Sequence, residues 1–298
     1  MDMLEVKNYS FKHGDNKILD NISFTLESGK ILGLVGPSGV GKTSLIRGIV
    51  GLYKGEGSIL LKGEEVYDNP KVKNKIAFVP DEHSSFYLIK ISEIINYYKL
   101  IYNNFDEEKF YEINKIFKIP LNKRFLQLSK GMKMRVNLMV AFSLDSELLI
   151  LDEPLSGLDP ILKEKLLKLI VKESAKNNKS IIISTHNLIE LEKICDEVII
   201  LHNGSIDYHN SLDKIRRNFK KIQVAFDMPV YVEDLTFKGI FRISQVGRVF
   251  TIIVEENSED FKEWLKRFKP LFLEEIDLSL EEVFINRIEG KCIDEEIL

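Results

Sequence analysis

Apolar and polar residues alternate through "MLEVKNYSF" and "ILDNISFTLES", the period-two pattern of half-buried strands, with Gly29 marking a turn. "KILGLVG" is a continuous apolar run ending in glycine, as a buried strand requires, and "KTSLIRGIVGLY" then takes up helical spacing and stops near Gly51. "GSILLKGEEV" and "KIAFVPD" read as further strands. From Ile91 to about Ser143 the spacing is helical, through "ISEIINYYKLIYNNF", "DEEKFYEINKIF" and "GMKMRVNLMVAFSL".

Strand and helix patterns then alternate: "ELLILDEP", "ILKEKLLKLIVKESAKN", "KSIIISTH", "IELEKIC" and "EVIILHNGSI". That alternation predicts an α/β domain around a largely parallel sheet. Asn203–Gly204 predicts a hairpin turn closing it. After a short basic helix, "SLDKIRRNFKK", the texture changes. Strands are predicted at "IQVAFDM", "IFRISQ", "VFTIIVEE" and "FLEEIDL", and helices at "SEDFKEWLKRF" and at "SLEEVFINRI", the latter opened by a Ser-x-x-Glu capping box. The expected division is a domain over 1–210 and a small α/β domain over 211–298, without internal repeat or low-complexity linker.

Composition narrows the options. The 298 residues are 44% hydrophobic and 30% charged, enough for a real core. Forty-two basic against forty-six acidic residues leave a net charge of −4, which argues against nucleic acid as the main partner. Cys195 and Cys292 have no metal-ligand spacing, and a reduced, cytoplasmic compartment fits them best. The N-terminus lacks the apolar core of a signal peptide, and no apolar run approaches the about 20 residues of a membrane helix. The chain is expected to dock on a membrane protein rather than to span a membrane.

The chemistry begins at "GPSGVGKT", residues 36–43, which matches G-x-x-x-x-G-K-[ST] between a buried strand and a helix. Gly36, Pro37, Ser38, Gly39, Val40 and Gly41 would curl the backbone so that successive N–H groups face phosphate oxygens, and the helix from Lys42 through Ser44 adds its positive end. Lys42 can reach the β- and γ-phosphates and Thr43 can ligate Mg²⁺. The expected ligand is a nucleoside triphosphate. "ELLILDEP" ends a second buried strand in Asp152 and Glu153. Strand alternation would point them to opposite sides, giving Asp152 the Mg²⁺ beside Thr43 and Glu153 the attacking water. "SGLDP" follows as a tight turn carrying Asp159. His186 ends the apolar strand "IIISTH" at the edge where parallel strands deliver ligand-binding residues.

P-loop, helical insertion, "LSKGM", "LILDEP", "SGLD" and "STH" together resemble, in order and interval, the ATP-binding cassette family over about residues 1–210. The resemblance implies a P-loop NTPase core with a mostly parallel sheet, an antiparallel β subdomain and a helical subdomain over about 88–145, followed by the small C-terminal α/β domain. It implies ATP and Mg²⁺ as ligands. Phe11 matches the family's adenine-stacking aromatic residue. Ser129 and Gly131 match the signature motif, which in this family contacts the γ-phosphate of ATP held by a second cassette. Asp81 stands where the family commonly has an Mg²⁺-ligating glutamine. Lys130 and Met132 depart from the usual signature residues in a form that looks like that of bacterial exporter cassettes.

The function so implied is the ATP-hydrolysing subunit of a transporter. It would pair with a second cassette, work in export through separate membrane permease subunits, and lie at the inner face of the cell membrane. Of the aromatic stretch after Asp81, a minority around Phe86 and Tyr87 is expected to stay exposed as part of a docking groove. Residues 214–221, "KIRRNFKK", read as a solvated helix face rather than a headgroup contact. A soluble cassette ATPase acting on ribosomes or DNA is the alternative. One cassette, no sustained heptads and no basic excess weigh against it.

Overall fold

The two alternating stretches form the expected strands, β1 (Asp2–His13) and β2 (Asn16–Glu27), and these pair antiparallel as a hairpin. The computed structural model describes residues 2–81, 86, 88–186, 188–255, 258–276, 278–279 and 281–283. β3 (Ile31–Val35) is wholly buried and leads through the P-loop into α1 (Lys42–Ile49), which ends before Gly51 at φ 70°. The run "GSILLKGEEV" is broken by Lys62 and Gly63, both at positive φ, into β4 (Glu56–Leu61) and β5 (Glu64–Glu65). α2 (Pro70–Lys73) is a single turn before β6 (Ile76–Val79).

The helical segment comprises α3 (Ile91–Ile101), α4 (Glu107–Phe117) and α5 (Lys130–Phe142). Ile91, Ile94 and Ile95 of α3 and Phe110, Ile113 and Phe117 of α4 are buried at helical spacing, so each helix hides one stripe. Then come β7 (Leu148–Asp152), α6 (Pro160–Asn177), β8 (Ser180–Thr185), α7 (Leu188–Leu191), β9 (Glu197–His202) and β10 (Ser205–Ser211). Asn203 and Gly204 both take positive φ between β9 and β10, as a two-residue hairpin requires.

The antiparallel sheet has order β2-β1-β4-β5 and the second sheet β10-β9-β3-β8-β7-β6, with β9, β3, β8, β7 and β6 in parallel register. Burial on both faces explains why β3, β7 and β8 are unbroken apolar runs rather than alternating ones. Parallel register also brings the ends of β3, β7 and β8 to one edge. Lys109 of α4 and the buried Glu173 of α6 form an ion pair at 2.6 Å, tying the helical segment to the core.

The chain divides into two compact units, 1–187 with 193–209 and 188–192 with 210–298. In the second unit, α8 (Leu212–Asn218) is shorter than expected, because Phe219 to Lys221 already belong to β11 (Phe219–Phe226). β12 (Ile240–Val246), β13 (Val249–Glu255), α9 (Ser258–Leu265) and β14 (Pro270–Ile276) complete an antiparallel sheet of order β12-β13-β11-β14. Ile222, Val224, Phe226, Phe250, Ile252 and Val254 share one face and pack with Phe261 and Leu265. The capping box forms: Ser279 N–H donates to Glu282 Oε2 at 3.0 Å, and Glu282 N–H donates to Ser279 Oγ at 3.2 Å. Of the basic stretch, Arg216, Lys220 and Lys221 pair with Glu192, Glu275 and Glu282, as a solvated, ion-paired surface does.

Candidate active site

Ser38, Gly39, Gly41, Lys42, Thr43 and Ser44 line a cavity of ≈ 350 Å³ together with Asp81, Asp152, Glu153 and Ile18. The P-loop can curl there because Gly39 and Gly41 take φ 80° and 109°. Gly41 caps α1 with no side-chain acceptor, so the first N–H groups of the helix remain available to an anion. Gly36 lies beneath, where a Cβ would meet Leu201 O at 2.6 Å, and Val40 N–H donates to Pro37 O at 3.4 Å across the turn. Lys42 is 8% exposed and donates to Gly36 O at 2.7 Å and Pro37 O at 3.0 Å. Burial depresses its pKa, against the opposing pull of Glu153 and Asp152.

Asp152 is 2% exposed and fully engaged. Its Oδ2 accepts from Thr43 Oγ1 at 3.0 Å, and its Oδ1 accepts a short hydrogen bond from Ser184 Oγ. Strand alternation does not carry through to Glu153, which corrects the sequence expectation. β7 ends at Asp152, and Glu153 takes φ 49°, so both carboxylates line the same cavity. The Glu153 N–H is held by Ser184, through its carbonyl and its hydroxyl, both at 3.1 Å. A left-handed glutamate is costly and persists only where such contacts fix it. His186 follows β8 and places Nδ1 3.0 and 3.1 Å from the two Glu153 oxygens. With the carboxylate charged, that nitrogen carries the proton and donates.

Ser184 is the residue that sequence reasoning missed. Its signal was a hydroxyl inside the apolar run "IIIST", because a buried polar side chain needs partners.

Among the described residues no group of three or more His, Cys, Asp or Glu side chains is arranged to hold a metal. The donor set nonetheless suits a hard divalent cation: a threonine hydroxyl, the Asp152 carboxylate, and Asp81 Oδ1, which is shielded from water and, among the described residues, is met by Lys130 Nζ alone, at 3.2 Å. Such an ion takes its remaining oxygens from phosphates and water rather than from a protein cage.

Other expected residues lie outside this cavity. Ser129 is exposed and caps α5, accepting from Met132 N–H at 3.3 Å. Gly131 packs against the turn after β7, where a Cβ would stand 2.7 Å from Gly157 O. Asp159 caps α6, its Oδ1 accepting from Ile161 N–H and Leu162 N–H at 3.1 and 3.0 Å. Phe11 lies flat on Tyr53, with ring centroids 4.6 Å apart and planes 9° off parallel, and does not line the phosphate cavity.

Phe86 is half-buried against Tyr97 and Tyr98, at 5.3 and 6.0 Å, and not free as expected; Tyr87 lies outside the described residues. The exposed apolar side chains of this region are instead Leu88, Tyr97, Leu100 and Ile101, with Leu100 84% exposed.

A family model described as ABC transporter matches residues 19–156. The ABC transporter ATP-binding protein YtrB of Bacillus subtilis (strain 168) is 32% identical over 290 residues, covering 97% of this chain and 99% of YtrB. A solved ATP-binding subunit of an ABC transporter is 31% identical, with TM-score 0.66, over 72% of this chain and 92% of its own. A dimeric ATP-binding cassette in a post-hydrolysis state with ADP and Pi shares the fold, with TM-score 0.64, 23% identity, and coverage of 70% of this chain and 99% of its own.

Proposed function

The chain belongs to the ABC transporter family as an ATP-binding subunit, an ATPase, and we propose how its residues divide that work. The observation that carries the reading is the Glu153–His186 contact at 3.0 Å, at the cavity that Lys42, Thr43 and Asp152 also line. Gly36 to Ser44 would cradle the phosphates, and Lys42 would exchange its two loop carbonyls for phosphate oxygens. Thr43, Asp152 and Asp81 would hold Mg²⁺, which when bound neutralises charge on the phosphate oxygens. Glu153 orients and deprotonates the attacking water. His186 fixes that carboxylate and faces the γ-phosphate.

Ser129, Gly131 and the start of α5 would form the second half of another cassette's site. Ser129 is exposed, and an uncovered helix start with a hydroxyl beside it is an anion clamp without an anion of its own. Asp159 would serve the same interface from the cap of α6. Phe11 would add its ring to adenine. Residues 1–210 would act as the cassette and 211–298 as an accessory domain.

No helix among the described residues is long and apolar enough to cross a membrane. Leu88, Tyr97, Leu100 and Ile101 are proposed to dock separate permease subunits, holding the chain at the inner face of the membrane. Export is the proposed direction, on the Lys130–Met132 form of the signature.

The test is the solution mass of Glu153→Gln by light scattering, with and without Mg-ATP. A shift from monomer to dimer is expected. A chain that stays monomeric with ATP binding confirmed would place the other half-site on a different cassette.

A further inference from the structure

Asp81 lines the phosphate cavity just beyond β6, and Lys130 is the first residue of α5, directly after the Ser129 cap. Their side chains meet. Lys130 Nζ lies 3.2 Å from Asp81 Oδ1, an oxygen that is shielded from water and has no other partner among the described residues. A shielded carboxylate oxygen met by a single ammonium keeps a strong claim on any cation that can approach it more closely.

The lysine is poorly placed for itself. It sits at the positive end of a helix, where a cation is unfavourable unless an anion stands beside it. Its side chain is 63% exposed, and among the described residues Asp81 is the one carboxylate that holds the ammonium inward.

We propose that Lys130 is the exchangeable counter-ion of Asp81: it occupies that carboxylate in the nucleotide-free chain and yields it when Mg-nucleotide fills the cavity. This rests on the proposed Mg-nucleotide site and goes beyond it. One carboxylate oxygen cannot keep an ammonium and a divalent cation together without bringing like charges close. Release leaves an uncompensated lysine at the start of α5, beside the Ser129 hydroxyl. The surface meant for another cassette's phosphate therefore becomes more anion-seeking only after the chain has loaded its own nucleotide. That is a coupling between two sites carried by one ion pair.

The experiment is a Mg²⁺ titration of a fluorescent ATP analogue bound to the Glu153→Gln chain, kept at protein concentrations where light scattering shows it monomeric and read by anisotropy. Lys130→Gln is expected to lower the half-saturating Mg²⁺ about two- to five-fold, the range of a partly exposed ion pair. Lys130→Arg should keep the parent midpoint, and with EDTA the Lys130→Gln and parent chains should bind equally. In an Asp81→Asn background, Lys130→Gln should produce no shift. An unchanged midpoint with Asp81 intact overturns the proposal. So does an equal shift without Asp81, or a midpoint that moves to higher Mg²⁺. A parent chain that binds no analogue at any Mg²⁺ overturns the nucleotide-site reading, and the exchange with it.

Discussion

The phosphate cavity and the signature end of α5 carry the same kinds of residue in opposite conditions. In the cavity the polar groups are spoken for. Lys42 lies on two carbonyls, Asp152 takes two hydroxyls, and Glu153 is gripped by Ser184 and His186. At the signature end Ser129 and Lys130 are exposed, and one ion pair reaches across to Asp81. Buried polar groups must find partners inside their own chain, and Lys42, Asp152 and Glu153 do. Exposed ones at a helix start can wait for another molecule. The first region is a finished half-site by its own folding; the second is completed only by what binds it.

The largest expected effect tests the finished half. Glu153→Gln should cut ATP turnover about 100-fold or more while Mg-ATP binding stays within about two-fold, since only the proton acceptor is lost. Steady-state phosphate release and equilibrium binding check this together. Near-normal turnover would remove Glu153 from its role. His186→Ala should cost less, about ten- to a hundred-fold, because it removes a donor that positions charge rather than the base itself. A turnover unchanged by that substitution would make the 3.0 Å contact to Glu153 a surface hydrogen bond only.

Much of this was legible beforehand, for reasons that differ residue by residue. The P-loop and "LILDEP" stood out because phosphate binding and burial on both sheet faces each demand a short, contiguous pattern. What sequence could not show depends on contacts across long separations or on backbone departures from regularity. The left-handed turn at Glu153 defeats the period-two rule one residue past the strand end. The meeting of Lys130 with Asp81, and of Phe11 with Tyr53, is a product of packing between elements far apart in the chain. The strand boundary at Phe219 was hidden because its basic neighbours suit a helix as well as a strand edge, until Glu275 and Glu282 pair with them.

A smaller effect tests the unfinished half. In Gly131→Ala the new Cβ would stand 2.7 Å from Gly157 O, an overpacking of about 1–3 kcal/mol that pushes the start of α5 from the turn beside it. In the Glu153→Gln background, Mg-ATP-driven pairing should weaken about ten-fold, read by light scattering across protein concentration. ATP binding to the single chain should be unchanged, because Gly131 does not line the cavity. Loss of both together would mean that the two regions are one folding unit and not separable halves.

The smallest effect sharpens where the finished half ends. Phe11 is stacked on Tyr53, whose hydroxyl accepts from Arg47 Nη1 at 2.8 Å, so one ring face is committed to packing beside α1. If the ring also meets adenine, Phe11→Ala should weaken ATP about two- to ten-fold, the worth of one aromatic contact, while inorganic tripolyphosphate binds as before. Competition of each against a fluorescent nucleotide separates base from phosphate. We expect ATP alone to be affected, because the P-loop contacts the phosphates without Phe11. An equal loss for both ligands would assign the ring to holding α1 and its P-loop in place through Tyr53, and would move base recognition to another residue at the cavity rim.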